Sequence, residues 1–253
     1  MRCVKAIGVL AGVVLMSIVI GCLTVDKKTD EAEACFSRGI QHGKSGDYPR
    51  AIDDFTDAIE LCPEWSCPYA NRGWAKRQLL DYQGSLEDCT KAIELCPDLA
   101  LAYYNRGIAK GGLGDNEAAI EDLTKAIELD PILTIAYYDR GTFKRKIFDR
   151  RGAIEDYTKA IELDPENACA YGARGILRRF QGDHQGAIAD FTKAIEFNPN
   201  NALSYRHRGI EKRTVGDRQG AISDFQKAKE LGDEKAAEYL HMMQEESGVR
   251  NIP

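Results

Sequence analysis

Apolar positions along the chain come in short stripes at helical spacing, and each stripe is cut off at the same place. In residues 116–129, Ala119, Ile120, Leu123, Ala126 and Ile127 fall on one face of a 3.6-residue helix. Asp115 before the stripe is a good N-cap, because its carboxylate accepts from the free amides of the next turn. Asp130-Pro131 after it ends the helix, since proline disfavours helical geometry at the preceding residue. A partner helix over 100–113 precedes it and is broken by Gly114-Asp115. The pattern predicts two antiparallel helices joined by a tight turn.

The same unit is written repeatedly. "DDFTDAIELCP", "EDCTKAIELCP", "EDLTKAIELDP", "EDYTKAIELDP" and "ADFTKAIEFNP" begin at 53, 87, 121, 155 and 189, and a degraded copy, "SDFQKAKELGD", begins at 223. Prolines 63, 97, 131, 165 and 199 step by 34, and the Arg-Gly pairs at 38, 72, 106, 140, 174 and 208 keep the same phase. One hairpin cannot bury its apolar face alone, so repetition implies stacking, with a core shared between neighbours.

A 34-residue helix–turn–helix unit resembles the tetratricopeptide repeat. The shared features are the first-helix glycine (Gly39, Gly73, Gly107, Gly141, Gly175, Gly209), the small residue opening the second helix, its large apolar partner (Phe55, Cys89, Leu123, Tyr157, Phe191, Phe225), a late alanine and the proline. The resemblance implies an all-α, right-handed α-solenoid of six stacked repeats, 32–65, 66–99, 100–133, 134–167, 168–201 and 202–235. A capping helix over 236–247, apolar at Ala236, Leu240 and Met243, and a tail over 248–253 complete it.

The first residues lie outside the period. A short basic start, Arg2 and Lys5, precedes an uncharged apolar run from Ala6, the layout of a secretory signal. Val19-Ile20-Gly21-Cys22 resembles a bacterial lipobox, which implies removal of residues 1–21 and lipidation of Cys22, a palmitate-type anchor. The alternative is an uncleaved single-pass inner-membrane anchor, because the run is long enough to cross a bilayer at roughly 20 residues. Either way residues 22–31 read as a tether, and the repeats are expected outside the cytoplasm, on the periplasmic face or at an outer membrane. An exported setting permits disulfides, and Cys62 and Cys67 flank one inter-repeat turn where a bridge is geometrically plausible.

Composition and charge narrow the function. Hydrophobic content of 43% and charged content of 29% fit a folded chain, and a net charge of −6 argues against general attraction to nucleic acid. The arginines of the Arg-Gly pairs recur with a second cation four residues on (His42, Lys76, Lys110, Lys144, Arg178, Lys212) and with Asp54, Asp88, Asp122, Asp156, Asp190 and Asp224 on the second helix. A phosphate-binding stripe is one reading. Structural Arg–Asp pairs, in register across each hairpin, are favoured by the equal numbers. Gly111-Gly112-Leu113-Gly114 ends a helix instead of following a strand, so it reads as a loosened turn and not a phosphate loop. No residues form a catalytic constellation, and none suggests a metal or other cofactor.

In tetratricopeptide relatives the first helices line a concave groove. The corresponding stripe here varies between copies and offers Trp74, Tyr104, Tyr138 and Arg206, with Arg77, Arg145, Lys146, Arg179 and Arg213 nearer the turns. Arg145, Arg179 and Arg213 are spaced by 34 and read as an exposed basic line. Aromatic anchors beside arginines suit a protein or extended peptide, an acidic one in particular. The chain thus reads as a non-enzymatic, membrane-tethered protein-binding module, or alternatively as an envelope scaffold touching several partners through broad repeat surfaces.

Overall fold

A computed structural model describes residues 27–249, and the expected signal, the lipidation site at Cys22 and the anchor lie outside them. The described residues form helices and turns without a strand. In chain order the helices are α1 (Lys27–Lys44), α2 (Tyr48–Leu61), α3 (Ser66–Gln78), α4 (Tyr82–Leu95), α5 (Ala100–Gly112), α6 (Asn116–Leu129), α7 (Thr134–Lys146), α8 (Arg150–Leu163), α9 (Ala168–Phe180), α10 (His184–Phe197), α11 (Ala202–Thr214), α12 (Arg218–Glu230) and α13 (Glu234–Val249). They fall into two compact units, one ending at Ile147 and the other beginning at Phe148. Helix α1 starts inside the segment expected as tether, so the polar residues Lys27 to Glu31 are helical.

Local chemistry sets each second helix. Asp47, Asp81, Asp115, Asp149, Asp183 and Asp217 are all N-caps whose carboxylates accept from the backbone amide three residues on, at 2.9–3.3 Å. At the other end Cys62, Cys96, Asp130, Asp164 and Asn198 leave the helix with φ between −134° and −143°, the extended geometry that a following proline requires.

Within each unit the hairpins stack as the alternation of small and large residues dictates. Ala51, Ala58, Ala119 and Ala126 in the first unit, and Ala187, Ala194, Ala221 and Ala228 in the second, are fully buried, as are Phe55, Leu123 and Phe225. The first-helix glycines exist for close approach: a Cβ on Gly39 would sit 2.7 Å from the Phe55 ring, and one on Gly209 2.8 Å from that of Phe225. The second unit closes on α13, whose Ala236 and Met243 are buried against Phe225 with Leu240 packed beside them. This is the expected capping helix, extended by two residues at each end.

Two expectations are corrected here. Cys62 and Cys67 are free thiols and not a bridge. What shapes their turn is Trp65, whose N–H donates to the Cys62 carbonyl at 3.1 Å and whose ring lies 4.7 Å from that of Phe36. The Gly111-Gly112 pair is not a loosened turn, for α5 runs through both residues. A Cβ on Gly111 would meet the Phe143 ring at 2.1 Å and one on Gly112 the Tyr82 ring at 2.5 Å, so aromatic rings from two neighbouring repeats press directly on this helix end.

Candidate functional site

The periodic charges form the most regular polar structure in the molecule. Arg72, Arg106, Arg174 and Arg208 each hold the aspartate sixteen residues on through two hydrogen bonds of 2.6–3.0 Å, and Arg38 reaches Asp54 through a single hydrogen bond from its Nε. The second cation closes on the same carboxylate: Lys76, Lys110 and Lys212 at 2.9, 2.9 and 3.0 Å, Arg178 at 3.0 Å, and His42 at 2.7 Å. Every one of these aspartates is buried, so the pairs belong to the fold and offer no phosphate stripe. A third link is invisible in the charge pattern. Arg72, Arg140, Arg174 and Arg208 also donate to Thr56, Thr124, Thr158 and Thr192 of the preceding repeat at 3.0–3.2 Å. One guanidinium therefore ties its own hairpin together and pins the hairpin before it.

The expected groove residues are far less free than their spacing implied. In the first unit Trp74 packs against Gly43 and meets Tyr48 edge-on at 5.7 Å. Tyr104 is 4% exposed, and its hydroxyl donates to Asp139 at 2.8 Å. Burial, with Asp139 beside it, pushes the Tyr104 hydroxyl well above its ordinary pKa, and burial likewise raises Asp139. Arg77 lies 5.8 Å over the Tyr104 ring and opposes both shifts, while its own buried Nε has no hydrogen-bond partner. Tyr138 is half-buried, whereas Arg145 and Lys146 are exposed.

The second unit shows the same consumption of charge. Arg179 approaches Glu211 at 3.8 Å and His207 at 3.2 Å, and His184 reaches the other Glu211 oxygen at 2.7 Å. Glu211 is 1% exposed. Arg206 donates to Asp233 at 3.1 Å. Burial, reinforced by Arg179 and Arg206, pulls the His207 pKa down to about 4. The exposed basic line is thus corrected at Arg179, whose charge is engaged with a buried carboxylate, while Arg213 remains exposed. Asp139, His184, His207 and Glu211 were not legible as site residues, because none recurs at its position in every copy.

A pocket opens on the first-helix side of the first unit. Ile40 and Lys44 of α1, Asn71 and Trp74 of α3, and Leu101 of α5 line it, with Phe55 as its floor. Lys44 is exposed at the mouth, and the Asn71 amide is turned onto its own helix, donating to the Cys67 carbonyl at 2.9 Å. The pocket is small, about 20 Å³, so as it stands it takes only the tip of an apolar side chain, with the lysine within reach of an acidic group beside it. Among the described residues no group of three His, Cys, Asp or Glu side chains could hold a metal ion, and no helix is long and apolar enough to cross a membrane.

Comparison with known proteins agrees with this architecture. Models of the tetratricopeptide repeat match residues 32–65, 100–132, 135–167 and 156–189. No curated protein matches the sequence. Among known structures the chain is similar to MamA (29% identity, TM-score 0.60, 65% of this chain and 96% of that one). It is also similar to YrrB, described as a TPR protein with an unusual peptide-binding site (24%, 0.64, 74% and 97%). A third likeness is to pilF of Pseudomonas aeruginosa (17%, 0.77, 86% and 100%). Period, hairpin geometry and these matches converge: the chain is built from tetratricopeptide repeats.

Proposed function

We propose that the protein is a non-enzymatic binding module that holds a segment of a partner protein on the first-helix face of its first unit, while its N-terminus tethers it to a membrane. The pocket between α1, α3 and α5 carries this reading. It combines an apolar floor and an aromatic wall with a lysine free at the rim, the combination that anchors one apolar side chain and orients a neighbouring carboxylate. The peptide-binding site named for YrrB is in keeping with it. The groove arginines do not carry the proposal, because Arg179 and Arg206 spend their charge on Glu211 and Asp233.

A photoreactive amino acid at position 44 tests the pocket. It is expected to crosslink one partner segment in cells, whereas the same probe at Arg151, exposed at the start of α8, recovers none. Lys44→Glu then weakens binding of that segment at least tenfold. Recovery of the same proteins from both positions would overturn the proposal. The tether is tested separately by labelling with a clickable fatty acid, with signal expected in the wild type and lost in Cys22→Ser; an intact Met1 in the mature protein refutes cleavage.

A further inference from the structure

The turns inside the repeats carry a conspicuous physical anomaly. Where the first helix hands over to the second, one residue adopts a left-handed conformation. Glycine fills that place at Gly46, Gly114, Gly182 and Gly216, with φ between +79° and +97°. Leu80 and Phe148 occupy it instead, at φ +63° and +66°. A branched or bulky residue is strained there, whereas glycine is not. The strain gains the fold nothing, for the Leu80 side chain is 70% exposed and that of Phe148 80%.

In the first unit Leu80 is part of a continuous apolar edge. Leu79 beside it is 48% exposed, and Leu113 at the next turn 51%. The two turns abut, since Tyr82 presses on Gly112. The third turn follows directly: Phe143 covers Gly111, and Lys146 lies 4.8 Å over the Phe143 ring. We propose that this edge, centred on Leu80 and Leu113, docks an acidic amphipathic helix of a partner protein.

Two observations select that occupant. First, the turn amides are spent. Leu79, Leu80, Asp81 and Tyr82 donate their N–H groups within the first turn, and Leu113, Gly114, Asp115 and Asn116 do so in the second. An added strand needs main-chain donors and acceptors from its host, whereas a helix satisfies its own and needs only side-chain contact. Second, the capping carboxylates at this edge are turned onto helix N-termini and not onto the cations. Asp81 and Asp115 accept from the N-terminal amides of α4 and α6, while Arg145 and Lys146, both exposed, make no ion pair among the described residues. The edge therefore pairs leucines with uncompensated cations.

The test uses the purified full chain and a synthetic helical peptide with leucines at i, i+3, i+4 and i+7 and glutamates between, alongside a scrambled peptide of the same composition. The patterned peptide is expected to bind at least tenfold more tightly than the scrambled one. Leu80→Asn with Leu113→Asn removes that preference, and Lys146→Glu weakens it severalfold. Asparagine tolerates the left-handed conformation, so Leu80→Asn alone is expected to leave Tm unchanged or raise it by roughly 2–5 °C. A patterned peptide that binds no better than the scrambled one, or equally well to the double variant, overturns the proposal. So does a fall in Tm for Leu80→Asn, which would make the leucine a structural residue. Co-sedimentation with vesicles of anionic lipid that the double variant loses, without peptide binding, reassigns the edge to a bilayer. A dimer that the double variant dissolves reassigns it to a second copy of the chain.

Discussion

Arg106 holds Asp122 through two hydrogen bonds of 2.8 Å, bridging the two helices of one hairpin sixteen residues apart. Asp122 is buried and Arg106 mostly so, and the hydrogen bonds that Arg106 donates to Asp122 stabilise the charged guanidinium. Arg106→Leu is expected to destabilise the protein by about 1–3 kcal/mol, less than the loss of a fully buried sole partner, because Lys110 stays 2.9 Å from the same carboxylate. Adding Asp122→Leu should recover much of that loss. Chemical denaturation of the four proteins of the cycle measures the coupling, and a value near zero would remove the pair from the account of the fold.

The end of α5 tolerates only glycine. Gly111→Ala sets a methyl group 2.1 Å from the Phe143 ring, and overpacking of this kind costs about 1–3 kcal/mol. Phe143→Leu in the same chain should restore part of the stability. If Gly111→Ala instead raises Tm, as an alanine does in an open helix, the ring is not seated where it is described.

His207 makes stability pH-dependent in one direction. Its folded pKa, about 4, lies below the ordinary value of 6.5, so the unfolded chain binds the proton more readily. The stabilisation is complete above about pH 6.5 and is lost as pH falls toward 4, on the order of 2 kcal/mol over that window. His207→Phe retains the stack on Phe191, now 5.5 Å between centroids, and should flatten the corresponding part of the pH–stability curve. An unchanged slope in that variant would assign the acid sensitivity elsewhere.

Arg179→Glu separates surface charge from structural charge. On an exposed basic line it would leave Tm almost unaltered. Next to buried Glu211, only 1% exposed, a second carboxylate should cost about 2–4 kcal/mol. Thermal denaturation of Arg179→Glu beside Arg145→Glu, exposed and outside any ion pair among the described residues, makes the comparison, and equal midpoints would contradict the network.

The thiols should differ in reactivity. Burial pushes the Cys89 thiol up to about 12 and leaves it wholly covered, whereas Cys169 is exposed. Because the thiolate is the reactive species, brief alkylation of the native chain should label Cys169 and spare Cys89 by at least a hundredfold. Mass spectrometry of the peptides reads this directly.

The fold was legible because its determinants are local and repeated. Asp115 as N-cap, Asp130-Pro131 as stop and the stripe from Ala119 to Ile127 specify a helix with no reference to anything distant. Thirty-four residues later the same instructions recur, and the Arg106–Asp122 pair follows from helical spacing alone. The surface was not legible in the same way. Whether Tyr104, Arg179 or Arg206 faces a ligand depends on what the adjacent first helix places beside it, and Asp139, Glu211 and Asp233 hold no invariant place in the period. The same holds for Thr56 and Arg72, whose link between repeats crosses a boundary that the repeat unit itself does not describe. Sequence determined the helices and the pairing within each hairpin, because those interactions act over a few residues or a fixed sixteen. Only the tertiary structure decided which charges are consumed and which apolar side chains remain in water, because burial is a property of neighbours brought together by stacking.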